Sequence, residues 1–218
     1  MDRYYLEFGL FQGFKTIKTT RGYSDNGAMR IFTPEVARFY EQYLVWHHSG
    51  TASLCDLVTA RMGLSTQKTQ TALQSALVHD VGKLLIPEDI LMRASGLSRD
   101  ETKIMETHAE QGARFLITRG FLDKIVRAVR HHHERWDGTG YPDGLSGEKI
   151  PLMARIIGVC DAVDAMAAGR HYKQKLHPEQ IVEEIRAGAG GQFDPAIAEV
   201  ILEILQQKRG IENVQNRA

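Results

Sequence analysis

The chain has 218 residues and carries 27 basic and 27 acidic side chains, a balance that offers no electrostatic footing for a nucleic-acid polymer or an anionic membrane surface. It holds no run of about 18 apolar residues, so no membrane-spanning helix is expected. Its N-terminus lacks the basic region, apolar stretch and small-residue cleavage site of a secretory signal.

In chain order, residues 1–33 stand apart. "YYLEFGLFQGF" is aromatic without a clear period, and "RGYSDNGAMRIF" carries turn signals. This stretch reads as an N-terminal appendage, a candidate surface for a homodimer or a signalling-protein partner. From residue 34 onward the pattern is helical. "TPEVARFYEQYLVWHH" opens with Thr33 as N-cap and Pro34 at the first helical position. That helix is expected to bend or break near Ser49-Gly50 and then continue to "RMGL". "STQKTQTALQSALVHD" follows as a helix running through Asp80. "SRDETKIMETHAEQGARFLITRG" reads as one helix, started by the Ser98/Glu101 capping box and stopped at Gly120. Next come "FLDKIVRAVRHHHE", a glycine-rich loop, "PLMARIIGVCDAVDAMAAG", "HPEQIVEEIRAGAG" and "DPAIAEVILEILQQK". No strand-like alternation competes, so the fold class is all-α, a bundle of about seven helices over 34–218. Cys55 and Cys160 lie in apolar helical surroundings and read as buried free thiols, which favours a cytoplasmic protein.

The anomaly is polar residues on core-facing stripes. Asp80 shares a stripe with Leu73, Ala76 and Leu77. His108 is flanked at helical spacing by Ile104, Met105, Gly112 and Phe115, and Asp161 is aligned with Ala154, Ile157 and Gly158. An unpaired buried carboxylate costs several kcal/mol or more, so inward acids on successive helices need partners. Seven of the nine histidines fall between His47 and His133. The intervals are 32 residues from His47 to His79, 28 from Asp80 to His108, 24 from His108 to His132 and 28 from His133 to Asp161. Each suits a helix outward and a return to a similar height, so these side chains converge on one layer. So many imidazoles with two carboxylates suit two octahedral ions bridged by a carboxylate. Asp80 is the natural bridge, with His79 beside it on one ion. Nitrogen and oxygen donors without thiolate point to iron, manganese or zinc.

The pair in "HDVGK" (His79 to Lys83) resembles the HD superfamily of metal-dependent phosphohydrolases. "HHERWDGTGYP" (His132 to Pro142) is more specific and resembles its HD-GYP branch, named for the residues seen here as Gly140, Tyr141 and Pro142. "ILMRASGLSRDE", "HAEQGARFL" and "IPLMARIIGVCDAVDAMAAGRHYK" also look like successive blocks of that family, and the likeness extends over about Val36 to Pro195. The resemblance implies a cyclic di-GMP phosphodiesterase with metal ligands at His79, Asp80, His108, His132, His133 and Asp161. It implies a phosphate-contacting Lys83, a Tyr141 lining the nucleotide site, and Asp164, Arg170 and Lys173 near substrate. Asp80 and Lys83 are then the residues nearest the chemistry.

The first ligand histidine of the family precedes a serine, which selects His48. Counting back from "MGL" selects His47, which also shares a face with Tyr43, Thr51, Leu54 and Val58, and His47 is preferred. Members with three metals carry a glutamate four residues before this histidine. Here that position is Tyr43 (Leu44 if His48 is the ligand), and Glu41 has the wrong spacing, so two divalent ions are expected. Iron or manganese is favoured, with zinc, nickel or magnesium as alternatives. His171 also replaces the proline of the family's Arg-Pro-Tyr, a modest change of loop stiffness.

Such a centre implies a metal-bridging hydroxide attacking the phosphodiester in line, giving linear pGpG first and GMP only after the dinucleotide rebinds. In the triplet His131-His132-His133, the last two are the ligand candidates and His131 is not. Glu134 is expected to orient a ligand ring, and Trp136 either packs the loop or stacks on a base. The glycines of "DGTGYPDG" supply tight turns and close backbone approach. The alternatives are a metal- and nucleotide-binding signalling module with little turnover, and a hydrolase of another cyclic dinucleotide such as cyclic GMP-AMP.

Overall fold

The structure, a computed structural model, describes residues 45–93, 96–168 and 175–215, with side chains described from residue 50 up to residue 207. The expected appendage at residues 1–33 and the first half of the first helix lie outside the described residues. In order, the helices are α1 (Val45–Arg61), α2 (Thr66–Val78), α3 (Glu88–Leu91), α4 (Arg99–Glu106), α5 (His108–Thr118), α6 (Asp123–Arg130), α7 (Leu152–Ala168), α8 (Pro178–Gly188) and α9 (Pro195–Gln215). Single turns of 3-10 helix occupy Val81–Leu85 and Gly147–Lys149. Among the described residues there is no strand, only an isolated bridge between Ala189 and Phe193. The all-α expectation holds.

The main core lies where α7 meets α1, α2, α8 and α9, around Val58, Ile156, Ile157, Ile185, Ile197 and Ile201. Each fully buried isoleucine there contributes about 1.5–3 kcal/mol relative to exposure. Helix α7 buries Ala154, Ile156, Ile157, Val159, Cys160 and Val163, so it is enclosed on most sides and carries Asp161 into the interior. Cys55 and Cys160 are buried free thiols as expected, and burial pushes the Cys160 thiol well above its ordinary value.

Several element boundaries differ from the sequence reading. The expected bend at Ser49-Gly50 is absent, and α1 runs through it unbroken. Gly50 serves packing instead: a Cβ there would lie 1.9 Å from Asp164 Oδ1 of α7. The expected single helix over 98–120 is two, parted at Thr107. The Thr107 hydroxyl donates to the Ile104 carbonyl at 2.6 Å and accepts from Gln111 Nε2 at 2.7 Å, local bonds that compete with the helical ladder. The capping box that starts α4 is present, with the Ser98 amide donating to Glu101 Oε2 at 2.8 Å and the Glu101 amide to Ser98 Oγ at 3.4 Å. Helix α2 stops at Val78 rather than running through Asp80, and the chain turns at once into Val81–Leu85. Helix α6 ends at Arg130, so the histidine triplet lies in the turn beyond it.

Candidate metal centre

Most of the ligand candidates with described side chains are delivered by an element end. His79 follows the last residue of α2, and Asp80 precedes the 3-10 turn Val81–Leu85. His108 opens α5, His132 and His133 follow α6, and Asp161 lies within α7. A helix end frees the side chain from the helix's own stripe and aims it across the bundle. The turn after Asp80 packs so closely on α5 that a Cβ at Gly82 would lie 1.9 Å from the His108 carbonyl oxygen and 2.5 Å from the Gly112 nitrogen. Only glycine permits that approach, and it sets Asp80 beside His108.

The side chains do converge. His108 Nε2 lies 3.2 Å from Asp80 Oδ1, 3.4 Å from His132 Nε2 and 3.1 Å from His133 Nε2. One donor atom from each of Asp80, His108, His132 and His133 falls within 4.8 Å of the others. On the other side of the Asp80 carboxylate, His79 Nε2 is 3.5 Å from Asp80 Oδ2 and 3.6 Å from Asp161 Oδ1. His79, Asp80, His108 and His132 are buried. The Lys83 ammonium donates to Asp80 Oδ2, so its charge already sits at the edge of the cluster.

The tautomers follow from geometry. His79, His108 and His132 each place Nδ1 2.6–2.7 Å from the carbonyl oxygen three residues earlier, on Ala76, Met105 and Val129. A carbonyl only accepts, so each Nδ1 carries a proton, and each ring in its neutral form turns an Nε2 lone pair toward the cluster. Removal from water, with neighbouring histidines adding to it, holds His132 well below its ordinary pKa and takes His133 to about 3. Neutral rings so arranged cannot donate to one another across 3.4 Å; their lone pairs and the Asp80 carboxylate address a shared cation. Two donors bonded to one ion at about 2.1 Å and at right angles sit roughly 3.0 Å apart, close to the 3.1 and 3.2 Å seen around His108 Nε2. The donor set therefore fits divalent metal.

The other residues singled out in the sequence fall elsewhere. Both ring nitrogens of His131 are engaged, Nδ1 on the Arg127 carbonyl at 2.7 Å and Nε2 on Asp143 Oδ2 at 2.9 Å, so neither faces the cluster, as expected. Glu134 does not orient a ligand ring. Its carboxylate accepts the backbone amides of Asp143 at 2.7 Å and Leu145 at 3.0 Å and so braces the loop. The Tyr141 ring tilts over His133, with centroids 4.9 Å apart, and meets His108 edge-on at 6.5 Å. Trp136 packs: the Arg155 guanidinium lies 5.6 Å above its ring and is itself paired with Asp194. Asp164 lies against Gly50 of α1. The His47 and His48 side chains, Arg170, His171 and Lys173 lie outside the described residues.

Sequence reasoning missed the set of ion pairs outside the cluster, built from Glu110, Arg130 and Asp143. Arg130 forks onto Asp143, with Nε to Oδ2 at 2.9 Å and Nη2 to Oδ1 at 2.7 Å, and approaches Glu110 at 3.5 Å. Scattered single charges give no periodic signal, so the sequence alone does not reveal it.

Comparison with known proteins agrees in kind. A family profile described as HD domain matches residues 30–197. The 3'3'-cGAMP-specific phosphodiesterase 2 of Vibrio cholerae serotype O1 is 36% identical over 159 residues, 72% of this chain and 30% of that protein. The cyclic di-GMP phosphodiesterase response regulator RpfG of Xanthomonas campestris pv. campestris is 36% identical over 148 residues, 67% of this chain and 39% of that protein. The chain thus spans well under half the length of these curated relatives. Among solved structures, an HDG"Y"P protein from Bdellovibrio bacteriovorus superposes with a TM-score of 0.63 at 18% identity, over 76% of this chain and 53% of that one, a likeness of fold.

Proposed function

Because the chain belongs to the HD domain family, we propose that it is a metal-dependent phosphodiesterase that opens cyclic di-GMP. The observation that carries this reading is the convergence of three imidazoles with fixed Nδ1–H tautomers on the Asp80 carboxylate. In this reading residues 34–218 form the catalytic domain and 1–33 an appendage that meets a second copy or a signalling partner. The ligands are His79, Asp80, His108, His132, His133 and Asp161, joined by His47. They divide about Asp80 into a His79/Asp161 side and a His108/His133 side, which supports two ions, iron or manganese before zinc, nickel or magnesium. Buried free thiols and the lack, among the described residues, of a helix long and apolar enough to cross a membrane fit a cytoplasmic location.

When bound, the cations lower the pKa of a water and withdraw charge from the phosphoryl oxygens. The chain's own residues prepare the rest. The Ala76, Met105 and Val129 carbonyls fix three rings, so no reorientation is needed when substrate arrives. Lys83, held on Asp80, presents a positive charge at the rim, where it can turn to a non-bridging phosphate oxygen. Tyr141 walls the site beside His133. Asp164, Arg170 and Lys173 are assigned to the nucleotide, and linear pGpG is the main product.

The test is anaerobic purification, metal analysis, and product chromatography after incubation with cyclic di-GMP and added manganese or reduced iron. Linear pGpG at catalytic turnover supports the proposal; a metal-loaded chain that releases no product refutes it. The similarity to a 3'3'-cGAMP-specific enzyme favours a second reading, hydrolysis of that mixed dinucleotide, and a parallel assay separates the two.

A further inference from the structure

We propose that Arg130 and Asp143 are positioning residues which, with Glu110 and His131, latch the Tyr141 loop onto the ends of α5 and α6 and so fix the wall that a bound cyclic dinucleotide meets. The inference rests on the phosphodiesterase reading and assigns new residues to it.

The latch joins three segments, and each member lies close in sequence to a residue of the centre. Arg130 is two residues before His132, Glu110 two after His108, and Asp143 two after Tyr141. The planar guanidinium of Arg130 takes both Asp143 oxygens, at 2.7 and 2.9 Å, and its remaining nitrogen lies 3.5 Å from Glu110 Oε1. Fork-on-fork pairing fixes orientation as well as distance, unlike a single-point ion pair. Asp143 Oδ2 also meets His131 Nε2 at 2.9 Å, and the Asp143 amide is held by buried Glu134 at 2.7 Å. Inside this frame the Tyr141 amide donates to the His133 carbonyl at 3.3 Å, and the Tyr141 ring lies at 32° to the His133 ring. The hydrogen bond from Arg130 is the largest influence taking the Asp143 carboxyl to about 2, so the latch is ionised throughout the neutral range.

His131, Glu134 and Asp143 also bring their donor atoms within 4.8 Å of one another, a spacing compatible with an ion. Their hydrogen bonds point otherwise. Both His131 nitrogens, both Glu134 oxygens and both Asp143 oxygens are already taken by protein groups. The trio closes a loop and does not form a further metal site.

The experiment uses the full chain loaded with manganese and the variants Asp143→Asn, Arg130→Gln, Arg130→Lys, Tyr141→Ala and the Asp143→Asn/Tyr141→Ala pair. Three quantities are read: manganese bound per chain, kcat and KM separately, and amide exchange of residues 141–146. Asp143→Asn is expected to keep its manganese, lose about tenfold of amide protection in the loop, and raise KM about tenfold with little change in kcat. Arg130→Lys, which keeps the charge but not the fork, falls between wild type and Arg130→Gln. In the Tyr141→Ala background, Asp143→Asn adds no further rise in KM. Full additivity of the two substitutions, loss of manganese, or unchanged loop exchange in Asp143→Asn would each overturn the latch. If the wild type cleaves neither cyclic di-GMP nor 3'3'-cGAMP, the function reading fails by itself, and unchanged or weakened loop protection still decides the latch.

Discussion

Asp80 bears the most demands of any side chain in the centre. It is almost fully buried, receives Lys83, and lies within 4 Å of three histidine Nε2 atoms. Asp80→Asn removes the charge while keeping the shape. It is expected to lower metal content and cut turnover about 10³-fold, measured by metal analysis and initial rates on the same preparation. His131→Gln, one residue from a ligand candidate, is expected to leave metal content intact, because both His131 nitrogens serve the Arg127 carbonyl and Asp143. Asp143 gives a test by pH. Its carboxyl is lowered in the folded chain from 3.8 to about 2, chiefly by the Arg130 hydrogen bond. A carboxyl lowered on folding contributes stability that is present above its unfolded value and lost as pH falls from about 3.8 toward 2. Thermal midpoints of wild type and Asp143→Asn should therefore differ at pH 6 and draw together as pH falls through about 3.8 toward 2, where the native carboxyl is half protonated and the unfolded one almost wholly so. A constant gap across that range would contradict the assigned cause.

Helices place these residues through their ends more than through their faces, and the contact between the Val81–Leu85 turn and α5 shows how narrow the tolerance is. Gly82→Ala would drive a methyl group into the His108 carbonyl and the Gly112 amide, backbone atoms that cannot rotate away. The expected loss is about 3 kcal/mol of stability, with metal content falling alongside, whereas Gly96→Ala, with nothing within 4 Å, should be silent in the same thermal and metal measurements. The sequence legibly indicated the helices because their apolar spacing repeats: α2, α7, α8 and α9 fall close to the segments read from periodicity. Asp161 was legible because an acid interrupts the apolar stripe of α7; Asp80 and His108, read as stripe residues, lie at helix boundaries instead, and His79, His132 and His133 were legible from spacing and family likeness, yet the six side chains do meet. The break at Thr107 was not legible, since it depends on side-chain bonds to one carbonyl and one glutamine rather than on a glycine or proline. Gly50 was misread for the opposite reason. A glycine marks either a break or a close approach, and only the neighbouring Asp164 distinguishes them. The latch has no periodic trace at all, because Glu110, Arg130 and Asp143 become neighbours only after α5, α6 and the loop have packed.

At the scale of the molecule, the centre ties together parts of the chain that are far apart in sequence. His79 and Asp80 come from the end of α2, His108 from the start of α5, His132 and His133 from beyond α6, and Asp161 from α7. A cation held by such a set binds the folded chain and has no comparable site in the unfolded one, so its binding free energy adds to folding stability. At a free metal concentration about 100 times the dissociation constant the gain is about 2.7 kcal/mol, which for a domain of this size corresponds to a rise of roughly 5–10 °C in Tm. Chelation should lower the midpoint, and manganese or reduced iron should restore it. Asp161→Ala should regain less on reloading, since it loses a donor 3.6 Å from His79 Nε2. His131→Gln should regain as much as the wild type. A stripped chain whose midpoint does not respond to any divalent metal would mean that the cluster is held by its internal hydrogen bonds alone. The phosphodiesterase assignment would then fail at its base, whatever the likeness of fold.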